Sequence, residues 1–275
     1  GGFDAVLAHM VPRYALVAAG PARRAHARLF LWYTHKGVDA RLRKAVTLVE
    51  KTFSASEESL RVDTPTRVIT GHGIDTDHFD LPASDYTGPT VLLSVGRLTP
   101  AKDPMTVIRA VGLLRAQGRD VVLDWVGGGL TGSDVGFADE VRALIAELDL
   151  ADSVNLLGEI PYAQVDERFA ACDLLVNASF TGSVDKVVLE AMAARRPALS
   201  CNDSFPVIFA ELGDDRADDL VFPQGDAEVL AERVATWLDR GPAELVRVGE
   251  DLRTIVVRDH GVEALCERLC REMGA

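Results

Sequence analysis

The 275-residue chain is short of cysteine, of positive charge and of long apolar runs, and each shortage closes off a class of protein. Four cysteines, Cys172, Cys201, Cys266 and Cys270, are too few and too scattered for a disulfide scaffold, and none stands in a CxxC spacing. Cys266 and Cys270 share a helix face at i, i+4 but lack a nearby His or Cys partner for a zinc site. Reduced structural thiols in a cytosolic protein are the expectation. No run approaches the roughly 18 apolar residues of a membrane helix. The most apolar stretch, Ala5 to Ala19, is interrupted by His9, Pro12 and Arg13. With 42 acids against 29 bases the net charge is −13, so the basic footprint of a nucleic-acid binder is missing. The chain opens on Gly1-Gly2 with neither an initiator Met nor a signal peptide. Internal repeats and low-complexity tracts are absent.

The 48% hydrophobic content is too high for a disordered chain. Apolar β-branched runs alternate with stretches of helical period. Strands are expected at 5–9, 29–34, 46–53, 67–70, 91–95, 121–126, 154–157, 174–177, 198–201 and 220–222. Helices are expected at 36–46, 104–116, 139–148, 162–171, 184–195 and 227–238. Such alternation implies an α/β fold of parallel sheets, and continuous apolar strands such as Val91 to Val95 fit sheets covered on both faces. Two prolines and a glycine among polar residues at 80–89 read as a linker, dividing the chain into residues 1–82 and 83–275. The late acids, from Glu211 to Glu232, read as a solubilising face. Arg23, Arg24, Arg28, Lys36, Arg41, Arg43 and Lys44 crowd 22 residues near the start. They read either as an ordinary helix face or as a contact for an anionic surface or substrate.

Ligands of open α/β sheets bind beyond the carboxyl ends of strands, so the strand–helix junctions carry the candidate chemistry. The first junction holds Arg97 and Lys102 at the start of a helix, an anion site or a surface pair with Asp103. In the second, Gly127, Gly129 and Gly132 satisfy GxGxxG, but the helix begins too late for a dinucleotide loop. Close backbone approach explains these glycines better. In the third, Gly182 permits a tight entry and Ser183 is the expected helix cap. Val184, Val187, Val188 and Ala191 form a buried stripe. Glu190 could accept two hydrogen bonds from a vicinal diol such as ribose offers, or serve as an ordinary helical carboxylate.

Gly73-Ile74-Asp75-Thr76-Asp77-His78-Phe79, Ser94-Val95-Gly96-Arg97-Leu98 with Lys102, and Leu189-Glu190-Ala191-Met192-Ala193 together resemble the retaining GT-B glycosyltransferases of family 4. The segments Leu156 to Tyr162 and Ala171 to Leu174 match the bridge usual in that family. The resemblance spans residues 66 to 260. It implies two Rossmann-like domains with a cleft between them and a nucleotide-sugar donor held by the C-terminal one. By position, it implies that Arg97 and Lys102 bind the donor diphosphate and that Glu190 binds the ribose hydroxyls. It places the loop of Gly127, Gly128 and Gly129 near the nucleotide, with Gly182, Ser183 and Lys186 also on the donor side. His35 is similar to a first-domain histidine that approaches the transferred sugar. Such enzymes need no metal and no cofactor, since Arg, Lys and helix dipoles stabilise the leaving diphosphate. The DxD of Asp75-Thr76-Asp77 is a metal signature of a different fold and reads here as part of a turn.

One position departs from the family. Gly182 stands where the first glutamate of its EX7E motif belongs, and Asp185 and Lys186 are local candidates to compensate. Asp185 either contacts the donor sugar or simply favours the helix dipole. The expected function is transfer of a hexosyl group, with retention, from a nucleotide-diphosphate sugar to a glycan or lipid-linked acceptor, as in polysaccharide biosynthesis. The alternatives are a non-catalytic nucleotide-binding module and a nucleotide-sugar epimerase of the same fold. A cytoplasmic protein is expected, with peripheral contact at the inner membrane face. Residues 1–82 are too few for a full Rossmann-like domain, so the first domain is expected to be incomplete, with the last helix packing back on it. The activity named belongs to the whole enzyme.

Overall fold

An apolar strand followed by an amphipathic helix can bury both only by crossing over to a parallel neighbour, and the chain does so repeatedly. The computed structural model describes residues 3–128, 135–179 and 184–274. These form two compact units. The first takes residues 3–73, Val184 and 258–274; the second takes residues 74–179 and 185–257.

The first unit contains β1 (Ala5–His9), α1 (Pro12–Arg24), β2 (Arg28–Trp32), α2 (Ala40–Ala45), β3 (Lys51–Ser54) and β4 (Arg67–Ile69). Its four-stranded sheet runs β1-β2-β3-β4, all parallel. Pro12 opens α1, where no amide is missed, and Arg23 and Arg24 close it against the negative end of the dipole. Asp39 caps α2 by accepting the Leu42 amide at 2.7 Å. Ala15, Ala22, Leu42 and Ala45 of the two helices pack with Leu29 and Leu31 of β2. Phe30, Trp32 and Phe53 gather against Leu265, Leu269 and Met273, which belong to a C-terminal helix described below. The strand expected over 46–53 is shorter. Val46 and Leu48 instead bond back to Leu42 and Ala45 at 3.0 and 2.9 Å, and Val46 and Val49 are buried in a turn.

The second unit contains β5 (Thr90–Val95), α3 (Pro104–Ala116), β6 (Val121–Val126), α4 (Val135–Glu147), β7 (Val154–Gly158), α5 (Val165–Ala171), β8 (Leu174–Asn177), α6 (Lys186–Ala193) and β9 (Ala198–Ser200). Then come α7 (Phe205–Phe209), α8 (Asp214–Asp218), α9 (Ala227–Arg240) and α10 (Pro242–His260), with α11 (Val262–Met273) closing the chain. The five-stranded sheet has the order β7-β6-β5-β8-β9, again all parallel. The strand expected at 220–222 is only a single bridge between Ser200 and Val221. Pro223 has no amide with which to extend it. Parallel order brings the loops after β5, β6, β8 and β9 to one edge of this sheet. Among the described residues no helix is long and apolar enough to cross a membrane.

Candidate functional site

The loop after β5 is shaped by close backbone approach. A Cβ on Gly127, which has φ +127°, would stand 2.2 Å from the Gly96 carbonyl oxygen, and a Cβ on Gly96 would press on the Lys102 side chain at 3.1 Å. The Gly96 amide donates to the Val126 carbonyl at 2.8 Å, and the Trp125 indole donates to the Gly96 carbonyl at 2.8 Å. Gly127 therefore answers to the neighbouring strand's loop. A Cβ on Gly128 would come 3.1 Å from the Glu159 amide nitrogen. Gly129, Gly132, Gly182 and Ser183 lie outside the described residues.

This loop aims Lys102 at the loop after β8. Lys102 Nζ donates to both carboxylate oxygens of Asp185, at 2.9 and 3.1 Å, and to Ser179 Oγ at 3.2 Å. Asn177 Nδ2 donates to the same carboxylate at 3.1 Å, while its Oδ1 accepts the Ser179 amide at 3.2 Å. The Lys102 and Asp185 side chains are 22% and 17% exposed, so the pair is partly sheltered from water. Asp185, and not Ser183, occupies the N-cap position of α6, which starts at Lys186, yet its side chain accepts no helix amide. Its carboxylate is committed to Lys102 and Asn177. Asp103, the local acid read as a partner for the loop cations, instead caps α3 through the Thr106 amide and hydroxyl at 3.2 and 2.6 Å. Arg97 is exposed and has no ion pair among the described residues. Cys201, just past β9, feels both Asp103 and Asp185; burial first and those charges second push its thiol up to about 12, leaving it unreactive.

Glu190 sits half-buried one turn beyond the exposed Lys186 on α6. The Tyr162 hydroxyl donates to Glu190 Oε1 at 3.3 Å. The Tyr162 ring stacks on His78 at 5.9 Å and 24° and meets Phe79 edge-on at 6.3 Å and 88°. Burial pushes the Glu190 carboxyl above its ordinary range, and the Asp185 charge adds to this. The Tyr162 hydrogen bond and the Lys186 and His78 charges oppose it. Burial, reinforced by the Glu190 charge, raises the Tyr162 hydroxyl to about 12. Asp75 of the DxD sequence accepts the His78 amide at 3.0 Å, a turn-closing bond. Among the described residues no group of three or more His, Cys, Asp or Glu could hold a metal ion.

His35 belongs to the first unit, three residues past β2. Its side chain is exposed, its Nδ1 accepts the Gly37 amide at 2.9 Å, and its own amide donates to the Ser59 carbonyl at 2.9 Å. Of the residues singled out by sequence, the structure joins Lys102 to Asp185 directly and sets Glu190 on the helix that Asp185 opens. Asn177, Ser179, His78 and Tyr162 were not singled out for the site. The signal for Asn177 was a buried amide at the very end of an apolar strand, and for Tyr162 and His78 it was their places inside two matched motifs.

The family model for glycosyl transferases group 1 matches residues 78–251. The chain is 28% identical over 190 residues to the amylovoran biosynthesis glycosyltransferase AmsK of Erwinia amylovora, an alignment covering 66% of this chain and 44% of that protein. It is 27% identical over 210 residues to the D-inositol 3-phosphate glycosyltransferase of Mycolicibacterium smegmatis, covering 73% of this chain and 46% of that one. The chain thus spans less than half the length of these relatives. The solved structure of Anabaena Alr3699/HepE in complex with UDP superposes with a TM-score of 0.83 at 19% identity, over 98% of this chain and 78% of that one. Two parallel-sheet, Rossmann-like units of this kind are the GT-B type of α/β fold.

Proposed function

Because the chain belongs to the glycosyl transferases group 1 family, we propose that it carries the donor site of a retaining, family 4 hexosyltransferase that uses a nucleotide-diphosphate sugar. The observation that carries this reading is the constellation at the edge of the second sheet. One cation there has no ion pair among the described residues (Arg97), one is held by a displaceable carboxylate (Lys102), and a half-buried Glu190 follows on the next helix. Arg97 and Lys102 take the diphosphate, Arg97 by its planar fork and Lys102 by leaving Asp185. Glu190 accepts the ribose hydroxyls, and Lys186 adds positive charge at the start of α6. Gly127 and Gly128 lie along the nucleotide. Asp185, freed from Lys102, turns to the donor sugar in place of the glutamate that Gly182 replaces. His35 is retained, on the resemblance alone, as a residue acting on the transferred sugar. The UDP carried by the Anabaena neighbour supports a nucleoside diphosphate in this role.

In this mechanism the two cations stabilise the departing diphosphate, so neither a metal nor a cofactor is required. The acceptor, a glycan or lipid-linked sugar, attacks on the face the leaving group vacates. The basic helices of the first unit support the reading of a peripheral contact with an anionic surface at the inner face of the membrane.

Thermal unfolding with UDP, GDP, ADP and their sugars tests the donor site. A ligand at 100 times its dissociation constant adds about 2.7 kcal/mol of stability. One nucleotide family should raise the midpoint; no shift with any of them overturns the reading. Transfer from a mass-tagged donor with the anomeric configuration kept is the expected product result.

A further inference from the structure

Tyr162 is the exposed aromatic side chain of the second unit among the described residues, 60% accessible, yet it is held on several sides. His78 lies against its face, Phe79 meets it edge-on, and Phe79 is itself buried and fixed edge-on against Phe169 at 5.5 Å. The backbone is set by Pro161 and a single turn of 3-10 helix, Tyr162–Gln164. Those contacts would hold a phenyl ring equally well. The hydroxyl adds one thing, a hydrogen bond to Glu190 Oε1 at 3.3 Å.

Glu190 needs such a partner. A glutamate side chain has three rotatable bonds, and a half-buried carboxylate without donors turns away or takes up a proton. A carboxylate offers roughly four lone-pair sites. With one used by Tyr162, the rest can receive both hydroxyls of a diol. We propose that Tyr162 is the positioning residue for Glu190, its hydroxyl fixing the carboxylate so that the free oxygen faces the donor ribose, and that it thereby sets the preference for ribose over deoxyribose. This rests on the donor-site reading above.

Tyr162 acts through Glu190, so removing the hydroxyl alters ribose recognition and its pH dependence. The groups facing Glu190 are Tyr162 from the 3-10 turn, His78 from the turn before β5, and Lys186 and Asp185 from the start of its own helix. Tyr162 donates to the ionised form. Its loss therefore moves the acid limb of nucleotide binding to higher pH.

The test is calorimetric titration of the full chain with whichever of UDP, GDP and ADP binds most tightly, and with its 2′-deoxy counterpart, across the acidic range. Wild type is expected to prefer the ribonucleotide by about tenfold. Tyr162→Phe, which keeps the ring and its packing, should weaken the ribonucleotide about five- to tenfold and the deoxynucleotide less, with the acid limb shifted upward. Adding Tyr162→Phe to Glu190→Gln should cost nothing further. If Tyr162→Phe discriminates as wild type does, with the same pH profile, the inference is overturned and the donor site stands. If wild type binds no nucleotide, both fall together. An unfolding midpoint of Tyr162→Phe lowered only slightly from wild type, as loss of one hydrogen bond allows, shows that the ring remains packed.

Discussion

Arg97 and Lys102 occupy one loop, but among the described residues only Lys102 has an ion pair, and that difference separates their expected mutational effects. Lys102→Met leaves the partly buried Asp185 with Asn177 as its remaining donor. It should cost about 1–3 kcal/mol in chemical unfolding, below the value for a fully buried pair because water still reaches this one. Arg97→Met removes an exposed cation with no ion pair among the described residues and should change stability by no more than about 0.5 kcal/mol. Both should weaken nucleoside diphosphate binding by calorimetry. Equal stability losses would show that the loop is not organised by the Lys102–Asp185 bond. Glu190 offers a second residue-level test. Its raised pKa means that the folded state holds the proton more tightly than the unfolded state, so ionised Glu190 subtracts stability at neutral pH. Glu190→Gln should therefore unfold at a higher temperature than wild type near pH 7. The gap should close as pH falls through the raised Glu190 value into the ordinary carboxylate range. Arg97, Lys102 and Glu190 were legible in sequence because each stands at a junction whose spacing is local. Tyr162 was not, because its partner Glu190 arrives from 28 residues further along the chain. Asn177 was not, because a lone amide closing an apolar strand has no spacing signature of its own even though its partners Ser179 and Asp185 follow closely.

At the scale of elements, the strands were read best where both sheet faces are covered. The stretches 121–126 and 174–177, apolar but for Asp124 and the closing Asn177, end where the structure ends them. Reading failed where apolar residues are buried without being strand. Val46 and Val49 line a turn after α2, and Leu220 and Phe222 flank one bridge. Hydrophobicity reports burial, and periodicity over three or four residues cannot say which backbone supplies it. The helix α1 begins inside the apolar stretch from Ala5 to Ala19 and was missed, although Pro12 and the closing Arg23 and Arg24 are its own start and stop signals. The end of α10 carries a further prediction. His260 is buried there, its Nδ1 accepts the His72 amide at 3.3 Å, and burial lowers its pKa to about 4. The adjacent Asp259 pulls the other way, while Arg268 and Arg258 reinforce the lowering. A histidine lowered on folding binds fewer protons in the folded state, so its share of stability is lost as pH falls from about 6.5 toward 4. His260→Gln, which keeps an acceptor and does not titrate, should show a flatter decline over that window in urea unfolding. An unchanged slope would mean that His260 is not a source of acid sensitivity.

The whole molecule is electrically divided, and a net charge of −13 conceals it. Residues 1–73 and 258–275, which contain the first unit's sheet and helices, hold fourteen basic against ten acidic side chains, while the remainder holds fifteen against thirty-two. Within the first unit, α1 and α2 cover the same side of the sheet. Their Arg13, Arg23, Arg24, Arg41, Arg43 and Lys44 form no ion pair among the described residues, and Tyr14 and Val17 are exposed between them at 60% and 67%. Unneutralised cations beside exposed apolar groups fit an anionic leaflet, where each Arg near the surface contributes about 1 kcal/mol. A vesicle sedimentation assay tests this. Binding should be strong to phosphatidylglycerol vesicles, absent from phosphatidylcholine vesicles, and lost between about 0.1 M and 1 M salt as the screening length shrinks from about 10 to 3 Å. Replacing Arg13, Arg23 and Arg24 together by Gln should weaken it by about two orders of magnitude. These side chains are exposed and form no ion pair among the described residues, so nucleotide-induced thermal shifts in the second unit should be untouched. Equal binding to neutral vesicles, or a triple variant that binds as wild type does, would remove the membrane from the acceptor side and leave the basic face to a soluble anionic acceptor.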